Sequence, residues 1–220
     1  MRLVDRLGEA TEAFHDVTDE EVFRLLGAVT AEAYRRYLVA MYGFVVPLER
    51  SLVRTPGIER YIDVRRFQKR ELLRRDLAAL HMSALQIDRL PQCAIPSFKT
   101  PDEALGWAYP IERSTLHHGD LLCHLAAILP GEVAFASSYL RCYFGAIVET
   151  WLSFGCVLDA FACVPHQARQ VVESARAAFQ GLRAWRFLHD ETRSVARLAD
   201  LARRRLAPAA ARRAHTRSSE

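Results

Sequence analysis

Residues Thr30 to Arg50 read TAEAYRRYLVAMYGFVVPLER, with Tyr34, Leu38, Met41, Val45 and Leu48 recurring every fourth or third position. That recurrence lays a single apolar stripe along one face of a helix. Thr30 stands at the N-cap. Pro47 requires a kink or marks the last turns, because proline lacks an amide hydrogen and crowds the preceding turn. The same spacing extends in both directions along the chain, and sustained apolar–polar alternation, the mark of a strand, is nearly absent. The reading is an all-α chain.

Upstream, Leu3 to Val17 forms a first helix. Thr18 with Asp19, Glu20 and Glu21 behind it reads as the N-cap of a second, short helix ending near Gly27, with acids where the helix dipole favours them. Downstream, Phe67 to His81 turns Leu72, Leu73, Leu77 and Leu80 inward and Arg70, Arg74 and Arg75 outward. Leu90 to Phe98 is an irregular connection containing Pro91 and Pro96. Thr100 caps a helix that starts with Pro101, Asp102 and Glu103 and continues to about Leu129, bent at Pro110. Long helices follow from about Val133 to Phe161 and from Pro165 to about Arg205.

The chain has 220 residues, half of them apolar and a quarter charged, the balance of a single globular domain. Its net charge of +4 owes most to Arg203, Arg204, Arg205, Arg212, Arg213 and Arg217, so residues 1–195 form the domain and 196–220 a basic, frayed tail. A nucleic-acid partner is not expected. Met1 to Ala10 lacks the apolar core of a signal peptide, and the stretch Tyr143 to Val164 is interrupted by Glu149 and Asp159, so a cytoplasmic protein without a membrane span is expected. Cys93, Cys123, Cys142, Cys156 and Cys163 contain no CxxC pair and read as free thiols. Phosphate-loop, dinucleotide and HExxH patterns are missing. His117 and His124 lie two helical turns apart, roughly 10 Å, too far to share one ion without a bend.

A more specific signal begins at Glu9, Ala10, Thr11 and His15, an E-A-T-x-x-x-H segment followed by the acidic Asp19. Val29-Thr30-x-x-x-Tyr34, leading to Tyr42 and Leu48-Glu49, continues it. Further along stand Arg74-x-Asp76-Leu77, the run Thr100 to Trp107, Tyr109 before Ser114-Thr115-Leu116, and Ala177-Ala178-Phe179 with Leu182 and Trp185. In order and spacing these pieces, over roughly residues 3 to 188, resemble the heme oxygenase family, in particular the bacterial branch that supplies biliverdin to phytochromes. The resemblance implies the single-domain, multihelical heme oxygenase fold. It also implies His15 as proximal ligand of heme iron, with Asp19 and Tyr109 among the heme-binding residues. Heme would be both cofactor and substrate, cleaved to biliverdin, iron and CO with electrons from a reductase or ferredoxin. A bacteriophytochrome would be a partner.

Against the bacterial pattern E-G-S-T-L-G-G this chain reads Glu112-Arg113-Ser114-Thr115-Leu116-His117-His118. The family uses glycine there because a bare backbone can approach the iron-bound ligand. Arg113, Ser114, His117 and His118 are therefore the distal-helix residues of interest, and His117 is a possible sixth iron ligand, giving a bis-histidine heme unsuited to turnover. The basic residues that pair with the propionates are replaced by Gly8, Glu12 and Leu152, the last directly after Trp151; Arg113 and Arg141 are possible substitutes. Three functions stay open: an active heme oxygenase; a catalytically impaired relative that binds heme, through His15 and His117, or another tetrapyrrole; and a scaffold that has lost heme.

Overall fold

The computed structural model describes the backbone of residues 2–27 and 29–206 and the side chains of 2–15 and 29–188. Two compact units are distinguished, Met1–Arg183 and Ala184–Glu220. The first carries every feature discussed below. The helices are α1 (Leu3–Gly27), α2 (Ala31–Val53), α3 (Arg70–Ala79), α4 (Ala84–Asp88), α5 (Pro101–Ser114), α6 (His118–Ile128), α7 (Pro130–Phe135), α8 (Ile147–Asp159) and α9 (Pro165–Leu206). Short 3₁₀ turns occupy Ile58–Arg60, Val64–Phe67 and Thr115–His117, and no strand occurs among the described residues. Asp19 and the arginines of the C-terminal tail lie outside the described side chains.

Helix α2 is the hub, touching α1, α3 and α5. Every residue from Met41 to Leu48 is buried, as in a helix surrounded by protein on all sides. Thr30 caps it by accepting the Ala33 N–H at 3.1 Å. Pro47 lies inside the helix, which continues to Val53. The Gly43 carbonyl that Pro47 cannot serve accepts the Cys93 N–H at 2.8 Å, so the irregular 90–98 connection supplies the hydrogen bond the proline removes.

Elsewhere the structure departs from the sequence reading. Thr18 does not start a new helix, since α1 runs unbroken to Gly27. The expected long helix from Val133 is interrupted between Phe135 and Ile147. There the Asp76 carboxylate accepts the N–H groups of Ser138 and Tyr139, each at 2.8 Å, and the Tyr34 hydroxyl donates to the Ala136 carbonyl. These buried side chains offer the backbone better partners than another helical turn does. Pro110 is contained within α5, and the break comes instead at the 3₁₀ turn Thr115–His117.

Two close approaches position the elements around α1 and α5. Asp159, at the end of α8, accepts the Leu3 N–H and the Arg2 Nε–H, both at 2.8 Å, and so serves a donor that the first turn of α1 leaves unpaired. Gly106 lets α5 press on α9: a Cβ there would stand 2.5 Å from both Ser174 Cβ and the Val171 carbonyl oxygen. Gly106→Ala is expected to cost about 1–3 kcal/mol through overpacking. Urea unfolding measures this, and an unchanged midpoint would mean that the two helices part without penalty.

Candidate functional site

His15 stands half-buried on α1, one turn beyond the fully buried Thr11. The Thr11 hydroxyl donates to the Leu7 carbonyl at 2.6 Å, and His15 Nε2 lies 2.8 Å from the same Thr11 oxygen. Phe179 of α9 packs beside the imidazole with ring centroids 5.5 Å apart and stacks on Phe14 at 5.9 Å. Tyr109 of α5 meets Phe179 edge-on at 6.1 Å and Trp151 of α8 at 5.8 Å. Burial pushes the Tyr109 phenol up, and the Arg113 charge and a hydrogen bond to Thr11 draw it partly back. An imidazole on α1 is thus continuous with an aromatic wall drawn from α5, α8 and α9. Arg176 joins the margin of this cluster, its Nε–H donating to the Ala10 carbonyl at 3.0 Å while the side chain stays exposed.

The end of α5 is held from behind by buried charges. Glu112, 2% exposed, accepts from Lys69 Nζ and Arg66 Nε at 2.7 Å each. Lys69 Nζ also meets the Tyr143 hydroxyl at 2.9 Å, and an Arg66 Nη donates to the Thr150 carbonyl at 2.7 Å. Burial alone would push the Glu112 carboxyl up, but the Lys69 and Arg66 charges outweigh it and hold the group below the usual carboxylate range. Burial likewise works against the Lys69 charge, and Glu112 and Tyr143 more than offset it, so its pKa is raised. All the polar atoms at the centre of this network find partners, the condition under which buried ion pairs hold a unique geometry.

The residues that replace the glycines separate around the helix. At roughly 100° per residue, Arg113 falls within a quarter turn of Tyr109 on α5, whereas His117 and His118 lie beyond Ser114, across the 3₁₀ turn Thr115–His117. His118 is buried with its ring 5.0 Å from that of Tyr139 and its Nδ1 3.8 Å from Cys142 Sγ. Burial, with the Lys69 charge, pushes the His118 imidazole down to about 3, so it is neutral at physiological pH; its Nε2 has no hydrogen-bond partner among the described residues. His117 and Arg113 are partly exposed, and the Ser114 hydroxyl donates to the Ile111 carbonyl at 2.8 Å. Arg141 lies on the turn before α8, its Nε–H on Ser137 Oγ at 3.0 Å and its guanidinium over Phe144. Leu152 is 50% exposed and, with Val148 and Cys156, lines a groove of ≈ 830 Å³.

The structure therefore gathers His15 and Tyr109 through Phe179, with Arg113 beside Tyr109, and packs His118 against Tyr139 and Cys142. Sequence reasoning did not single out Lys69, Arg66 or Tyr143, and named Asp76 only as part of the Arg74-x-Asp76-Leu77 piece. The only signal of the charged ones is charge at positions that a helical or apolar pattern would bury, as at Asp76 between Leu73 and Leu77. The five cysteines are free. No helix among the described residues is long and apolar enough to cross a membrane.

The heme oxygenase family model matches residues 1–186 of the chain. A crystal structure of NO- and CO-bound heme oxygenase from Neisseria meningitidis is similar in fold, with a TM-score of 0.69 and 21% identity over 84% of this chain and 90% of that one. No curated protein matches the chain in sequence.

Proposed function

The chain belongs to the heme oxygenase family, and from that premise we propose that it binds heme beside His15 and oxidatively cleaves it to biliverdin, iron and CO, using electrons from a reductase or ferredoxin. When bound, heme supplies the iron that activates oxygen and the carbon framework that is cleaved. The observation that carries the reading is the half-buried His15 imidazole standing against the wall formed by Phe179, Tyr109 and Trp151. A nitrogen ligand next to flat apolar rings suits an aromatic macrocycle with a central metal. Arg113, whose charge acts on Tyr109, and Arg176, at the margin of the cluster, would receive its carboxylates. Glu112, Lys69 and Arg66 keep the bend between α5 and α6 in place. A bacteriophytochrome is the proposed recipient of the bilin.

A second reading is favoured by one observation. His117, partly exposed, ends the 3₁₀ turn between α5 and α6, where the family pattern has glycine, and its imidazole would complete a bis-histidine site that does not turn over. Hemin titration followed through the Soret band separates the two. Saturable binding is expected, with His15→Ala weakening it by more than the roughly 10- to 100-fold typical of losing an outer-shell partner. Bilin absorbance on adding ascorbate supports turnover. A low-spin ferric spectrum that needs both His15 and His117, without bilin, supports the second reading, and the absence of saturable binding overturns both.

A further inference from the structure

We infer that Thr11 is a latch on His15: without heme, its hydroxyl holds the imidazole in the Nε2–H tautomer, and that nitrogen is masked until the latch opens. A threonine hydroxyl has one proton to donate and two lone pairs. The proton is committed to the Leu7 carbonyl at 2.6 Å. The contact with His15 Nε2 at 2.8 Å must then be a donation from the imidazole into a hydroxyl lone pair. Thr11 is 0% exposed, so water does not compete for its oxygen. One donation to Leu7 and one acceptance from His15 follow, and in the neutral His15 ring they place the proton on Nε2.

The i, i+4 geometry explains why the latch forms, since side chains one turn apart on a helix meet and a long side chain leans back toward the preceding turn. Opening it exchanges the ring proton between nitrogens through solvent, with no net gain or loss of protons. Thr11 is on this account a positioning residue that acts on the imidazole alone. The tautomer claim stands independently of the proposed function; the masking claim rests on it.

The test uses the full-length protein labelled with ¹⁵N-histidine, free of hemin, above about pH 8 where an ordinary histidine is neutral. Long-range ¹H–¹⁵N correlation reads the tautomer, and His15→Gln assigns the signal. The wild type is expected to show Nε2–H, Thr11→Ser to keep it, and Thr11→Val to shift toward the other tautomer. Hemin association in stopped flow is expected to be about five- to tenfold faster in Thr11→Val, as for the loss of one hydrogen bond. A wild-type Nδ1–H signal, or a tautomer unmoved in Thr11→Val, overturns the latch. A shifted tautomer with an unchanged hemin rate overturns the masking, and no hemin binding in any variant overturns the proposed function while leaving the tautomer result intact.

Discussion

Glu112→Gln is expected to lower the unfolding free energy by about 3–5 kcal/mol, the usual cost of removing one partner from a buried ion pair. The neutral amide would leave Lys69, 3% exposed at its side chain, and Arg66, 12% exposed, without the carboxylate that offsets their burial. At roughly 2–4 °C per kcal/mol for a chain of this size, the melting temperature should fall by about 6–20 °C. Lys69→Met should also destabilise, and the double variant should lose less than the sum of the single ones by at least about 1 kcal/mol, because it removes the charge that Glu112→Gln strands. Equilibrium urea unfolding of the four proteins measures this. A single variant within error of the wild type would show that water reaches the network.

The same network sets a pH dependence at both ends. The folded pKa of Glu112 is depressed, so its contribution is present above the ordinary carboxylate value of about 4.3 and is lost as pH falls through the folded value. The folded pKa of Lys69 is raised, so its contribution is present below about 10.4 and is lost as pH rises through the folded value. The contribution of this pair should stay level between these limits, although the buried neutral His118 makes overall stability fall as pH drops below about 6.5, and in Glu112→Gln the acid limb attributable to the pair should disappear.

The second large effect is expected at Asp76. Its carboxylate is 0% exposed and accepts two backbone N–H groups from the turn at Ser138 and Tyr139. Asp76→Ala strands both donors at about 1–3 kcal/mol each, so a loss of roughly 2–6 kcal/mol is expected. Asp76→Asn should approach that value, since one of its two side-chain positions becomes a donor facing a donor. Hydrogen exchange provides the local readout, with faster exchange of the Ser138 and Tyr139 amides in both variants. Unchanged exchange there would show that the turn does not depend on Asp76.

These residues mark where reading the chain stopped. The all-α class was legible from spacing, because a buried helix face must repeat every three or four residues whatever it packs against. Thr30, Pro101 and the free cysteines were legible for similarly local reasons. The E-A-T-x-x-x-H segment and its successors were legible as a pattern in order and spacing, and the family match bears them out. Thr18 misled because its cap signal is local, while the chain continues through it as helix.

By itself the sequence determined helix type, the starts of α1, α2, α5 and α9, and the family, since these depend on neighbours a few residues away or on ordered motifs. Only the tertiary structure decided the rest, because the partners involved lie far apart in the chain. Cys93 completes the hydrogen bond that Pro47 removes, and Asp76 and Tyr34 draw residues 136–139 out of a helix. Lys69 and Arg66 meet Glu112 across the fold, and Tyr109 and Phe179 close around His15. A buried polar group must find a partner wherever the fold brings one, and linear spacing does not encode which residue that will be.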